Sequence, residues 1–167
     1  SKLRTGTDIF INPASQEIYA DFYNGMFGTT MTWQEIFAQT DRDINLQRIM
    51  NILVYGKTTG EHDWIPDRAI GPIDAELYEN EKDYNDADLC KLLNKSPGEI
   101  HSLSSREKQQ MLITERKKHL RELIQAYYEE RGWSTMGIPT VNTLKTLGLW
   151  KFLTEEARET IISFNGH

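Results

Sequence analysis

The chain has 167 residues, 38% hydrophobic and 26% charged, with a formal net charge of −6 and a pI near 5.3. These values match a folded, soluble protein and lie far from disordered or membrane compositions. The acidic excess would repel a phosphate backbone and no lysine–arginine stripe reverses it; no apolar run approaches the ~18 residues of a bilayer crossing, so nucleic acid and membrane are not expected partners.

A chain of this length buries roughly two-thirds of its unfolded surface, so one helical domain over 1–167 with a real core is expected. No signal peptide opens it, which makes the cytoplasm the default compartment. Cys90 is the single cysteine; an intramolecular disulfide and any site built on several thiolates within this chain are excluded. It reads as a small half-buried apolar residue in step with Leu89 and Leu93. The chain opens on Ser1, and its residues through Phe10 form no element of helical length, the pattern expected of a segment cut from a larger protein.

In chain order, Asn12 and Pro13 make a cap followed by proline at the first helical position, predicting a helix from about Ala14 to Met26 with Ile18, Tyr19 and Phe22 inward. Thr32 and Glu35 have capping-box spacing. Behind them Trp33, Ile36, Phe37, Thr40 and Ile44 repeat at three and four. The phase then shifts to Leu46, Ile49, Met50, Leu53 and Val54, which predicts a long helix with a wide buried face, or two meeting at a kink, ending at Gly56. From there to about Asn85 no apolar period persists among Pro66, Pro72, three glycines and an acidic stretch, so a long loop is expected over 56–85. Loops of that length usually carry function or pack against an absent neighbour.

A short helix is expected at Asp86–Leu93. Ser104 and Glu107 form a second capping box; the helix they open runs to about Arg131, with Met111, Leu120, Leu123, Ile124, Tyr127 and Tyr128 as its inner face. Gly132 ends it, Pro139 and Thr140 open another that Gly148 closes, and Thr154 begins the last. Only Asp8 to Ile11 alternate as a strand would. The expected fold is therefore all-α, an irregular assembly of about five to six helices.

Complete sites are missing. Gly25 and Gly28 lack the Lys-Ser or Lys-Thr of a phosphate loop. His62, His101, His119 and His167 each stand too far from another His or Cys for metal-ligand spacing. His62 beside Asp63 is a local His–carboxylate pairing, but adjacent residues rarely point together, and catalysis there would need a distant Ser or Thr. The run Asp83, Asp86, Asp88 lacks the glycine and bidentate glutamate of a calcium loop. Arg116, Lys117, Lys118 and Arg121 read as a solvated helix face, offset by Glu115 and Glu122. No catalytic, cofactor-binding or metal-ligating residue is expected within the chain.

Four segments, in order, resemble the C-terminal helical region of the tungsten-containing aldehyde ferredoxin oxidoreductase family. Asn45, Leu46, Gln47, Arg48 is similar to its Asn-Leu-Glu-Arg helix, and Asp63, Trp64, Ile65, Pro66, Asp67, Arg68 to its Asp-x-Leu-Pro-x-Arg loop. Tyr127, Tyr128, Glu129, Glu130, Arg131, Gly132, Trp133 resembles its Tyr-Tyr-x-x-Arg-Gly-Trp segment, followed by Gly137 to Thr140 and a Leu-x-x-Leu-Gly-Leu at Leu144 to Leu149. Upstream, Tyr19 to Gly28 resembles a Tyr-x-x-x-x-Asn-x-x-x-Gly helix end. The stretch Gly71 to His101 is longer than the family pattern, and Trp150 to His167 extends beyond it.

The resemblance implies a parent enzyme that oxidises aldehydes to carboxylic acids on a tungsten bis-pterin centre and passes electrons through a 4Fe–4S cluster to ferredoxin. The family's Cys-x-x-Cys-x-x-x-Cys group and its Asp-x-x-Gly-Leu-Cys motif do not occur here, and Cys90 lacks that context. The implied partners are the N-terminal cofactor-bearing domains of the parent chain and ferredoxin, with a homo-oligomer left open. The alternative is a free-standing helical interaction module without catalysis.

Overall fold

The computed structural model describes residues 13–56 and 60–165. Its regular elements are helices, in accord with the all-α expectation. In chain order they are α1 (Pro13–Phe27), α2 (Trp33–Tyr55), a 3-10 turn (Gly60–Asp63), α3 (Asp67–Ile70), α4 (Ala75–Asn80), α5 (Lys82–Leu93), α6 (Pro97–Ile100), α7 (Ser105–Glu130), α8 (Val141–Thr146), a 3-10 turn (Trp150–Phe152) and α9 (Glu155–Asn165). Asp8 to Ile11, Asn12 and His167 lie outside the described residues. No helix among those described is long and apolar enough to cross a membrane.

The expected loop over 56–85 is corrected: it carries a 3-10 turn, α3, α4 and the start of α5, which begins at Lys82 rather than Asp86. Pieces of one or two turns are too short for a 3.6-residue apolar period to repeat, so the pattern cannot announce them. The chain also divides into two compact units, a finer division than one domain over 1–167. One unit draws on the described residues up to 56 and from 138 onward, the other on 60–137.

In the first unit, α2 starts at the Thr32 capping box, with Thr32 N–H donating to Glu35 Oε2 at 2.8 Å, and runs unbroken to Gly56, whose φ of 83° suits glycine. Ile49 of α2 joins Leu144 of α8, Leu149 and Ile161 of α9 in one core, with Leu147, Trp150 and Leu153 packed around it. Asn24 shapes the link from α1 to α2: its Oδ1 accepts from Met31 N–H at 2.8 Å and its Nδ2 donates to Met31 O at 2.7 Å.

Burial on these two helices differs from the expectation. α1 buries Gln16 and Ala20, while Ile18, Tyr19 and Phe22 are exposed. α2 buries Ile36, Asn45, Ile49 and Ile52 and exposes Leu46, Met50, Leu53 and Val54. Periodicity names an apolar stripe but not its neighbour; here the small Ala20 side is covered and the bulky side is left open.

In the second unit α7 is the spine, and α3, α4 and α5 pack along it. Tyr78, Leu89, Ile100 and Leu112 form the core, with Cys90, Leu92, Leu93, Leu103 and Met111 packed on it. The Ser104–Glu107 capping box opens α7 as expected, and a further box, Ser96–Glu99 with Pro97 behind it, opens α6. The inner face of α7 is corrected: Lys108, Leu112 and Tyr128 are buried, whereas Leu123 and Tyr127 are exposed. The short helices cover α7 along a narrower line than its apolar residues occupy.

Candidate functional site at the Asp63 loop

Asp63 ends its 3-10 turn, and Trp64, Ile65 and Pro66 carry the chain to α3, where Pro66 occupies the cap position. The Asp63 carboxylate accepts a hydrogen bond from the Tyr128 hydroxyl near the end of α7. Next to it Trp64 receives the Arg121 guanidinium over its ring at 5.4 Å, a cation–π contact. Tyr127 and Tyr128 pack on Trp133 with ring centroids 5.7 and 5.9 Å away, and Lys117 Nζ lies 2.9 Å from the Asp67 carboxylate.

Two segments far apart in the chain, Asp63–Arg68 and Tyr127–Trp133, thus fold into one place in the second unit. His62 is on the same turn and exposed, while Asp63 is held by Tyr128. The pair works as a latch between turn and helix, which fits positioning better than acid–base chemistry. The other motif segments serve the first unit. Asn45 Nδ2 donates to Asp41 O at 2.8 Å, Thr140 Oγ1 accepts from Thr143 N–H to cap α8, and Leu144 and Leu149 enter the core.

The acidic run has a different use from a calcium loop. Asp86 accepts from the Tyr78 hydroxyl at 2.6 Å and from Lys108 Nζ at 2.8 Å, while Asp88 takes Arg116 Nη2 at 2.7 Å and Nε at 3.0 Å. Arg116 Nη1 also donates to Ile70 O at 3.1 Å. These bonds tie α5 and the end of α3 to α7, and Asn85 Nδ2 donates to Tyr78 O at 3.0 Å to join α5 to α4. Burial pushes the Tyr78 phenol well above its ordinary 10.0, and the Asp86 carboxylate adds to the effect. Burial also pushes Asp86 up, but the hydrogen bonds from Lys108 and Tyr78 and the Lys108 charge outweigh it and hold the carboxyl below its ordinary 3.8.

Of the four bases on this stretch of α7, Arg116, Lys117 and Arg121 each meet a partner inside the unit, and Lys118 is exposed. Sequence reading did not anticipate these ties because Lys108 and Arg116 lie 22 and 28 residues from their aspartates. Among the described residues no group of three or more His, Cys, Asp or Glu is placed to hold a metal ion.

No individual curated protein and no solved structure matches the chain at a significant level. The family model described as aldehyde ferredoxin oxidoreductase, domains 2 & 3, matches residues 5–149. That span takes in the Asn45 helix, the Asp63 loop, the Tyr127–Trp133 segment and the Leu144–Leu149 core strip, and the chain belongs to the aldehyde ferredoxin oxidoreductase family.

Proposed function

We propose that this chain is the helical C-terminal region of an enzyme that oxidises aldehydes to carboxylic acids and delivers the electrons to ferredoxin, and that its own part in that enzyme is structural. The observation that carries the reading is the family match over 5–149. A tungsten bis-pterin centre and a 4Fe–4S cluster would belong to other domains of the parent chain. The residues here do not fit the cluster: it takes several thiolates, the chain has one cysteine, and Cys90 packs against the Tyr78 core. No catalytic step is assigned to a side chain of this region.

In this reading the Asp63–Tyr128 latch and the Arg121–Trp64 contact hold the loop rigid, so that the helical region presents a fixed surface to the rest of the enzyme. The test is elemental analysis of the complete gene product, purified without oxygen, together with aldehyde-dependent reduction of a viologen dye. Tungsten and iron in stoichiometric amounts with dye reduction support the reading; a complete product with neither metal and no activity overturns it. A second reading, a non-catalytic interaction module, draws on the apolar residues exposed along α1. It predicts a full-length product that binds a protein partner and contains no tungsten.

A further inference from the structure

We propose that Asn24–Gly25 is a self-modification site, at which Asn24 loses its side-chain amide as ammonia and becomes aspartate or isoaspartate when the last turn of α1 opens. The chain has two Asn-Gly pairs, Asn24–Gly25 and Asn165–Gly166, and Gly166 lies outside the described residues. No part of this chemistry depends on the activity of a parent enzyme.

The reaction is a ring closure. Gly25 N attacks Asn24 Cγ; the new N–C bond forms as the bond from Cγ to Nδ2 breaks, and ammonia leaves with the proton from Gly25 N. Water then opens the cyclic imide at one of its two carbonyls, giving aspartate or, with the main chain rerouted through Cγ, isoaspartate. Only water is consumed. Glycine permits the closure because no Cβ crowds its nitrogen. In α1 both residues are helical, and a helical ψ of about −40° turns Gly25 N away from Asn24 Cγ while the helix ladder holds its N–H. The amide is locked a second time. Its Oδ1 accepts from the Thr29 hydroxyl at 2.7 Å and from Met31 N–H at 2.8 Å, and its Nδ2 donates to Met31 O at 2.7 Å.

The lock is shallow. Phe22, Met26 and Phe27 are 74%, 76% and 62% exposed, and a Cβ at Gly25 would meet nothing within 4 Å, so little apolar burial holds the last turn of α1 shut. Such a turn opens locally at low free energy. Once formed, aspartate at position 24 cannot donate to Met31 O. It also sets a negative charge in the last turn, at the unfavourable end of the helix dipole and three residues from Asp21. Isoaspartate adds a methylene to the main chain and breaks the helical register. Conversion therefore loosens the link from α1 to α2 that Asn24 shapes, as a one-way record of time spent open.

The test holds the complete gene product at mildly alkaline pH and physiological temperature, with and without urea. Asn24 is followed by peptide mass spectrometry, and isoaspartate by enzymatic methyl transfer from S-adenosylmethionine. Native protein converts about 10-fold more slowly than the unfolded chain, and about 10-fold faster at Asn24 than at the buried Asn45 and Asn85. Thr29→Val, which removes one bond to Oδ1, raises the native rate about threefold and leaves the urea rate unchanged. Gly25→Ala, which the helix accommodates, lowers both rates about 10-fold. In Asn24→Asp, amide exchange in the last turn of α1 and at Met31 rises about fivefold while α7 is unchanged. No native conversion at Asn24 over the time in which the unfolded chain converts completely overturns the site. Equal native and urea rates overturn the gate, as does an unchanged native rate in Thr29→Val. A wild-type urea rate in Gly25→Ala overturns the ring closure, and unchanged exchange in Asn24→Asp overturns the loosening of the link.

Discussion

The two compact units are made of the same kind of amphipathic helix, yet they hold their helices together in different ways. The second unit ties its helices together by charge: Lys117 reaches Asp67, Lys108 reaches Asp86 and Arg116 reaches Asp88, so α3 and α5 are each pinned to α7 by a charged pair beside the apolar contact. The first unit builds its core from Ile49, Leu144, Leu149 and Ile161 and leaves bulky stripes of α1 and α2 open. Both units keep bulky apolar residues in water, Leu123 and Tyr127 in the second and Phe22 and Met26 in the first; the second adds charged ties between its helices.

The largest expected effects test whether the units are energetically separate. Leu112→Ala, at a fully buried position of the second core, costs about 3 kcal/mol. Hydrogen exchange should show the loss in α4, α5 and α7 and leave α9 unchanged; Ile161→Ala, equally buried, should give the converse pattern. Equal loss in both units from either variant would break the comparison.

Next in size is the pinning itself. Lys108 is 5% exposed, and Lys108→Met removes the cationic partner of Asp86; because Asp86 keeps the Tyr78 hydroxyl and has 28% of its side chain in water, the cost is about 2 kcal/mol rather than that of a fully buried pair. A urea midpoint unchanged within error would show that the pair adds nothing. The same network sets a pH window. Asp86 has a folded value below its ordinary 3.8, so its contribution is present above that pH and is lost as pH falls through the lower folded value. Tyr78 has a folded value above its ordinary 10.0, so its contribution is present below that pH and fades as pH climbs beyond it. Protection of α5 should therefore fall at both extremes, and Lys108→Met should weaken the acid limb.

A smaller effect is expected at Gly71. Its backbone is extended and unstrained, but a Cβ there would stand 2.5 Å from Arg116 Nη1 and 2.9 Å from Ile113 Cδ1. Arg116 is held by Asp88 and Ile70 O and cannot swing away freely, so Gly71→Ala should lower the stability of the second unit by about 1 kcal/mol, measured by thermal unfolding. The smallest effect is at the open face: Phe22→Ser should change stability by no more than about 0.5 kcal/mol. A loss of several times that would mean that Phe22 packs within its own unit, and the contrast between the units would weaken.

Much of the helical framework is legible in the residues. The Thr32–Glu35 and Ser104–Glu107 boxes and the stop at Gly56 lie where local chemistry places them, because a cap is made within four residues. The short helices between Gly60 and Lys82 each hold too few turns to show a period, and the local cap that Asp74 makes by accepting from Leu77 N–H marks only the start of α4. At the Asp63 loop the motif residues could be named from their order, while the Tyr128 latch that makes them one site depends on a partner 65 residues away.

By itself, then, the sequence determined the helical class, the capped starts of the long helices, the single cysteine that rules out a multi-thiolate site within this chain, and the family resemblance, all properties of local pattern or composition. Tertiary structure decided which side of each amphipathic helix is covered, which aspartate meets which base, and that α1 turns its bulky residues outward. Those outcomes depend on neighbours distant in the chain, and a 3.6-residue period carries no information about what stands opposite.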